Sequence, residues 1–181
     1  HPLAADRPVS DGIRREKLLM APVLNRANIT IDTSEMSLAD LKRTLKGHFG
    51  IENEDELAIF VTSFSYRLGL PREADLVFDV RFLANPHYDL DLRDLTGLDE
   101  AVGRFISADS EFQPFFDDLT RLLGPLLGRY AAEGKSYLTI AVGCTGGRHR
   151  SVFVAEKLAQ WIAKQDRPTD LRHRDLDKSA I

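Results

Sequence analysis

The segment GCTGGRHRS, Gly143 to Ser151, concentrates the residue types that hold anions. It directly follows the apolar run SYLTIAV and directly precedes VFVAEKLAQWIAK, so it is expected to turn a strand into a helix. Glycines at such a turn let the backbone approach a ligand with its N–H groups pointed inward, and the helix N-terminus adds partial positive charge. Arg148, His149 and Arg150 place cationic side chains on the same turn. The chemistry this order predicts is recognition of a phosphate ester. Thr145, Gly146, Gly147, His149, Arg150 and Ser151 are expected to supply the contacts through backbone N–H groups and side chains. The plain alternative is a tight turn whose arginines are merely solvated.

Cys144, Gly147, Arg150 and Ser151 also fit Cys-x-x-Gly-x-x-Arg-Ser, the loop of cysteine-dependent phosphatases. In that chemistry a thiolate attacks phosphorus, and the helix N-terminus and the arginine lower its pKa. Under this alternative Cys144 and Arg150 are the catalytic pair. Gly143 stands where those enzymes usually carry His, and no WPD-like acid loop is visible, which leaves Asp89, Asp91 and Asp94 as candidate proton donors. His1, His48 and His173 lack metal-ligand spacing, so no metal is expected.

The elements that must position this loop follow from periodicity. Ser10 precedes an amphipathic helix with Ile13, Leu18, Leu19, Val23 and Leu24, and the alternation at Ile29 and Ile31 predicts a short strand. Ser37 is expected to cap a second helix through Phe49, with Leu38, Leu41 and Leu45 on one face and Gly50 as its stop. Leu57 to Ser65 and Ala74 to Phe82 read as strands, separated by the breaker at Gly69 to Pro71. The polar run after Phe82, ANPHYDLDLRDLTG, reads as loop. Helical periodicity dominates from Leu98 to Ala132, with interruptions expected near Pro114 and at Pro125. Ser136 to Val142 is a further strand, the helix from Val152 follows the glycines, and Leu171 to His173 reads as a last short strand. Strands alternating with helices predict an α/β fold, a mixed, mostly parallel sheet with flanking helices, and ligands bind such sheets at the carboxyl ends of the strands. Asp79, Arg81 and Asn85, near the end of the second of these strands, are candidates to shape a pocket, and Asp79 with Arg81 reads as a structural ion pair.

Composition bounds the alternatives. The 181 residues, 43% hydrophobic with a formal charge of −4, suit one domain or one plus a fragment, with a core that needs no disulfide or metal. The single cysteine excludes an intramolecular disulfide and a multi-Cys zinc site. No apolar run is long enough to cross a bilayer and no leader pattern precedes the first residues, so a cytoplasmic protein without a membrane partner is expected. The start at His1 without an initiator Met suggests a piece of something longer. From Glu73 to Asp118 there are twelve acidic and three basic residues, whereas Arg121 to Ile181 holds eleven basic and six acidic, which draws an anionic ligand to the second part.

Four ordered blocks resemble the RapZ family of nucleotide-binding and RNase-adapter proteins. They are ADLVFDVRFLANPHYD (Ala74 to Asp89), LRDLTGLD (Leu92 to Asp99), GKSYLTIAVGCTGGRHRSVFVAEKLA (Gly134 to Ala159) and HRDLDK (His173 to Lys178). The resemblance implies an N-terminal P-loop nucleotide domain joined to a C-terminal domain that, in the best-known members, senses glucosamine-6-phosphate. Residues 1–35 are then expected to be the tail of the P-loop domain and 36–181 the ligand-sensing domain. The implied ligand set is Cys144, Thr145, Gly146, Gly147, His149, Arg150 and Ser151, with His87, Arg67 and Asn85; His87 matches a metabolite-contacting position. The motif GxxxxGK followed by Ser or Thr does not occur, so no cofactor and no enzymatic turnover are expected of this chain, while ATP or GTP is expected for a full-length protein. The implied partners are a phosphosugar, further copies of the chain in a homo-oligomer, and regulatory proteins, and since the family's C-terminal half also assembles subunits, a pure oligomerisation or interaction domain stands as a further alternative.

Departures from the family pattern sharpen these expectations. SFSYRLGLP, Ser63 to Pro71, stands where SFGFKYGLP is typical, so Ser65 and Leu68 differ while Arg67 keeps a cation, and Ala84 replaces a usual Pro. From Lys164 to Lys178 five Lys or Arg are balanced by four Asp, and the strongly basic extension of enterobacterial members is absent. RNA binding is therefore not expected.

Overall fold

The computed structural model describes residues 2–4, 8–34, 36, 38–49 and 57–176. The chain divides into two compact units, His1–Ser37 and Leu38–Ile181. In the first, the amphipathic segment forms helix α1, Val9–Leu24, which starts after Pro8 rather than after Ser10. Pro8 is pre-set for a helix start by its fixed φ, and it has no N–H to leave unsatisfied. The strand expected at Ile29 and Ile31 does not form; residues 28–33 are irregular, and the Asp32 carboxylate accepts the Ser34 N–H at 3.1 Å to close them. Alternation makes a strand only where a neighbour completes the ladder, and no strand is hydrogen-bonded to this segment among the described residues.

The second unit holds a four-stranded, wholly parallel sheet, an α/β fold. Helix α2, Leu38–Phe49, is followed by β1, Ala58–Ser65, and β2, Leu76–Asp79. Ser37 and Gly50, its expected cap and stop, lie outside the described residues. Then come α3, Glu100–Ser107, α4, Phe112–Ala132, β3, Tyr137–Cys144, α5, Arg150–Ala163, and β4, Thr169–His173. The strand order is β2-β3-β1-β4. Because all four run the same way, their carboxyl ends share one edge: Asp79 pairs with Gly143, Ser65 with Cys144, and Ser63 with His173.

The two central strands, β1 and β3, are buried along nearly their whole length, which is why they read as continuous apolar runs. Ile59, Val61, Leu138, Ile140, Val142 and Cys144 join the core formed with α3, α4 and α5. Leu119, Leu123 and Leu127 of α4, like Val154, Leu158 and Ile162 of α5, make the four-residue stripe that a helix presents to a core. Alternate residues of β1 and β3 face the other side, where Tyr137 packs near Phe60 and against His48 of α2.

Several elements differ from their expected bounds: β3 runs on to Cys144 rather than ending at Val142, α5 starts at Arg150 rather than Val152, and β4 starts at Thr169 rather than Leu171. β2 ends at Asp79, three residues before Phe82, because the Asp79 carboxylate accepts the Arg81 backbone N–H at 2.9 Å and turns the chain away. The break in the long helical region falls at residues 108–111 and not at either proline. Asp109 makes it: its carboxylate accepts the N–H groups of Glu111 and Ala84, and its carbonyl accepts that of Phe112. Pro114 lies in the first turn of α4, where an N–H has no helical acceptor, and Pro125 is carried inside the helix at the loss of one bond. The loop after β2 contains one 3-10 turn, Pro86–Tyr88.

Candidate functional site

Residues 145–149 connect β3 to α5 at the carboxyl edge of the sheet. The neighbouring β1 sends Tyr66 over the Gly143 side of β3, whereas α5 packs on the Val142 and Cys144 side. Two adjacent strands whose chains depart over opposite faces open a crevice, the usual ligand position in this architecture. Two glycines shape it. A Cβ on Gly143 would collide with the rings of Phe64 and Tyr66, and Gly147 adopts φ +68° while lying against the backbone of Ser65.

The helix end is open. His149 occupies the N-cap of α5 without a capping side-chain bond. Among the described residues, no protein acceptor is recorded for the loop N–H groups of Thr145 to His149. These donors, with the first N–H groups of α5 behind them, offer partial positive charge to an anion. Ser65 and Arg67 border it: the Ser65 hydroxyl donates to the Thr145 carbonyl at 2.8 Å, and the Arg67 N–H reaches the same oxygen at 3.5 Å. The Arg67 side chain is exposed, with no recorded guanidinium partner among the described residues.

The cations of the loop point elsewhere. Arg148 donates to the carbonyls of Asp94 and Leu95, His149 pairs through Nε2 with the carbonyl of Arg93 at 3.2 Å, and Gly97 donates back to the Arg148 carbonyl. Arg150 is buried and donates through Nη1 to the carbonyls of Arg81 at 2.6 Å and Leu83 at 2.9 Å. The triplet therefore fastens the loop to the segment running from 81 to 97. Burial holds His149 below its ordinary pKa; the Arg93 carbonyl pulls the other way and the Arg148 charge lowers it further. It is thus a neutral ring near pH 7 and adds no charge to the crevice.

Cys144 is buried at the foot of the loop, its Sγ 3.1 Å from the Ser151 hydroxyl. Such a position suits packing better than attack on a solvent-borne phosphate. A histidine at 143 could not fit between Phe64 and Tyr66, which explains the departure from the phosphatase pattern in steric terms.

Asp79 and Arg81 form the expected ion pair, with contacts down to 2.6 Å, although Arg81 sits in the turn after β2. Arg81 also lies 4.0 Å over the Tyr66 ring, and its hydrogen bonds hold the Asp79 carboxyl below the usual range. Asn85 turns its side chain back to the His87 N–H at 3.4 Å, capping the 3-10 turn. The His87 ring is exposed, 6.1 Å from that of Tyr88. Asp89 folds onto the Asp91 N–H, and the side chain of Asp94 is exposed. Among the described residues no group of His, Cys, Asp or Glu could hold a metal ion, and no helix is long and apolar enough to cross a membrane.

Two participants escaped the sequence reading. Asp175 accepts the Ser65 N–H at 2.8 Å, and Arg174 grips Asp175 while reaching the Gly69 carbonyl at 2.7 Å. The signal that could have found them is position: both directly follow a strand whose parallel pairing brings it to the crevice edge.

Comparison with known proteins gives the lineage. The pattern of the RapZ C-terminal domain matches residues 57–177, and that of the RapZ-like N-terminal domain matches 1–53. The chain belongs to the RapZ family. It is 61% identical over 178 residues to a nucleotide-binding protein of Paramagnetospirillum magneticum, covering 98% of this chain and 58% of that protein. It is 58% identical to a nucleotide-binding protein of Rhodospirillum centenum, covering 98% of this chain and 54% of the relative. A nucleotide-binding protein of Symbiobacterium thermophilum is 48% identical over 181 residues, with 99% and 60% covered. The chain thus spans little more than half the length of these RapZ-family relatives.

Proposed function

We propose that the segment matching the RapZ C-terminal domain, residues 57–177, forms the metabolite-sensing half of a RapZ-family protein and binds a phosphorylated amino sugar such as glucosamine-6-phosphate in the crevice at residues 145–149. The observation that carries this reading is the uncapped N-terminus of α5, preceded by loop N–H groups without recorded protein acceptors, at the carboxyl edge of a parallel sheet. The phosphate sits on these N–H groups with Arg67 beside it, and the sugar extends toward Asn85 and His87. The chain binds without turnover. Nucleotide binding in the whole protein rests on ATP or GTP held outside these residues, since the Gly-rich Lys motif does not occur here. Family resemblance supports a homo-oligomer with regulatory partners, and a charged sugar phosphate, which does not cross membranes, fits a cytoplasmic setting.

Isothermal calorimetry tests the site directly. Glucosamine-6-phosphate is expected to bind and inorganic phosphate to bind more weakly, with glucosamine weaker still. Arg67→Ala, an exposed change, is expected to weaken both phosphates about three- to tenfold through loss of one charge-assisted contact. Absence of heat with either phosphate refutes the reading.

A further inference from the structure

Ser65 is the last residue of β1, paired in register with Cys144, and is almost fully buried. Its hydroxyl does not return to its own strand. It crosses to the ligand loop and donates to the Thr145 carbonyl at 2.8 Å. A trans peptide is planar, so its C=O and N–H point in opposite directions, and no cis bond occurs among the described residues. Drawing the Thr145 carbonyl down onto Ser65 therefore turns the N–H of Gly146 outward, where Gly146 is exposed and space beside it is open.

Ser65 is itself held. Its N–H donates to the Asp175 carboxylate, which is 2% exposed and bound by the Arg174 guanidinium at 2.7 to 3.1 Å. Arg174 is fixed in turn by its N–H on the Ser63 carbonyl and its Nη2 on that of Gly69. A half-buried arginine and a buried carboxylate directly after β4 thus set the position of one hydroxyl beneath the loop.

We infer that Ser65, anchored by Arg174 and Asp175, is a positioning residue of the anion site, locking the Thr145–Gly146 peptide so that the Gly146 N–H faces a phosphate oxygen. The inference rests on the anion-site reading above and assigns its donor geometry to a residue outside the loop. Without the hydroxyl the Thr145 carbonyl keeps only the long contact from the Arg67 N–H at 3.5 Å, so the peptide rotates more readily, and a carbonyl oxygen turned outward repels the anion that the N–H attracts.

Calorimetry of the parent and Ser65→Ala with inorganic phosphate and with glucosamine-6-phosphate tests this. Ser65→Ala is expected to weaken both by the same factor, about three- to tenfold, because the loss lies at the phosphate. In the ligand-free protein the Gly146 amide resonance is expected to move while those of α4 stay, a readout that general loosening would not produce. Asp175→Asn, which keeps an acceptor for the Ser65 N–H but removes the charge, is expected to move the same resonance by a smaller amount. Equal affinities in parent and Ser65→Ala overturn the inference, as does weaker binding with an unmoved Gly146 resonance. If the parent itself binds neither phosphate, the anion site falls, and the silence of the parent rather than the variant distinguishes that outcome.

Discussion

Arg150→Ala separates two roles for one guanidinium. Arg150 is 5% exposed, and both protons of Nη1 are committed, to the carbonyls of Arg81 and Leu83. A hydrogen bond from a charged group contributes about 1.5 to 3 kcal/mol net, and the two here share one nitrogen, so removal is expected to cost about 3 kcal/mol. In a unit of this size that lowers the Tm by about 10 °C. Arg148→Ala is the matched control. It removes the same charge and also two carbonyl bonds, but its bonds are exposed and water replaces them, so less than about 1 kcal/mol is expected. Scanning calorimetry of both variants at pH 7 without ligand gives the comparison, followed by phosphate titration well below each Tm. If Arg150→Ala melts within about 2 °C of the parent while phosphate binding vanishes, the guanidinium is a ligand group and its carbonyl bonds carry no weight.

The remaining expectations concern pH, shape and reactivity. Below pH 6.5, the ordinary value for histidine, the unfolded chain takes up a proton that buried His149 resists, so stability falls on acidification, while above it both states are neutral and the term vanishes. His149→Asn should flatten the Tm profile between pH 6.5 and about 5, leaving a residual slope from His48, whose pKa burial also lowers; an unchanged profile sinks this account. Gly143→Ala is expected to cost about 1 to 3 kcal/mol by urea unfolding, since Phe64 and Tyr66 must move, and a neutral result would show that they yield freely. The protein is expected not to hydrolyse p-nitrophenyl phosphate above a buffer control, because Cys144 is buried; turnover lost in Cys144→Ser would establish the phosphatase alternative instead.

What the residues disclose and what they withhold divide along a physical line. β1, β3 and α5 are legible because their signals are local and their surroundings uniform: a strand buried on both faces is apolar throughout, and a helix on a sheet repeats every three to four residues. The strand that failed at Ile29 and the early end of β2 depend on hydrogen-bond partners, which alternation does not specify. The helix break misled because at Pro114 no N–H would have been used, and at Pro125 the loss of one bond does not end a helix whose Leu119, Leu123 and Leu127 are buried in the core. The ligand loop shows the same division most sharply. Its glycines and its place between strand and helix are local facts. The direction of its cations is not, because Arg148, His149 and Arg150 find their acceptors 53 to 69 residues away in the segment after β2. A basic triplet at a helix start has the same sequence whether it grips a ligand or a row of carbonyls. Here the carbonyls hold all three, which leaves the loop N–H groups and Arg67 as the donors facing outward.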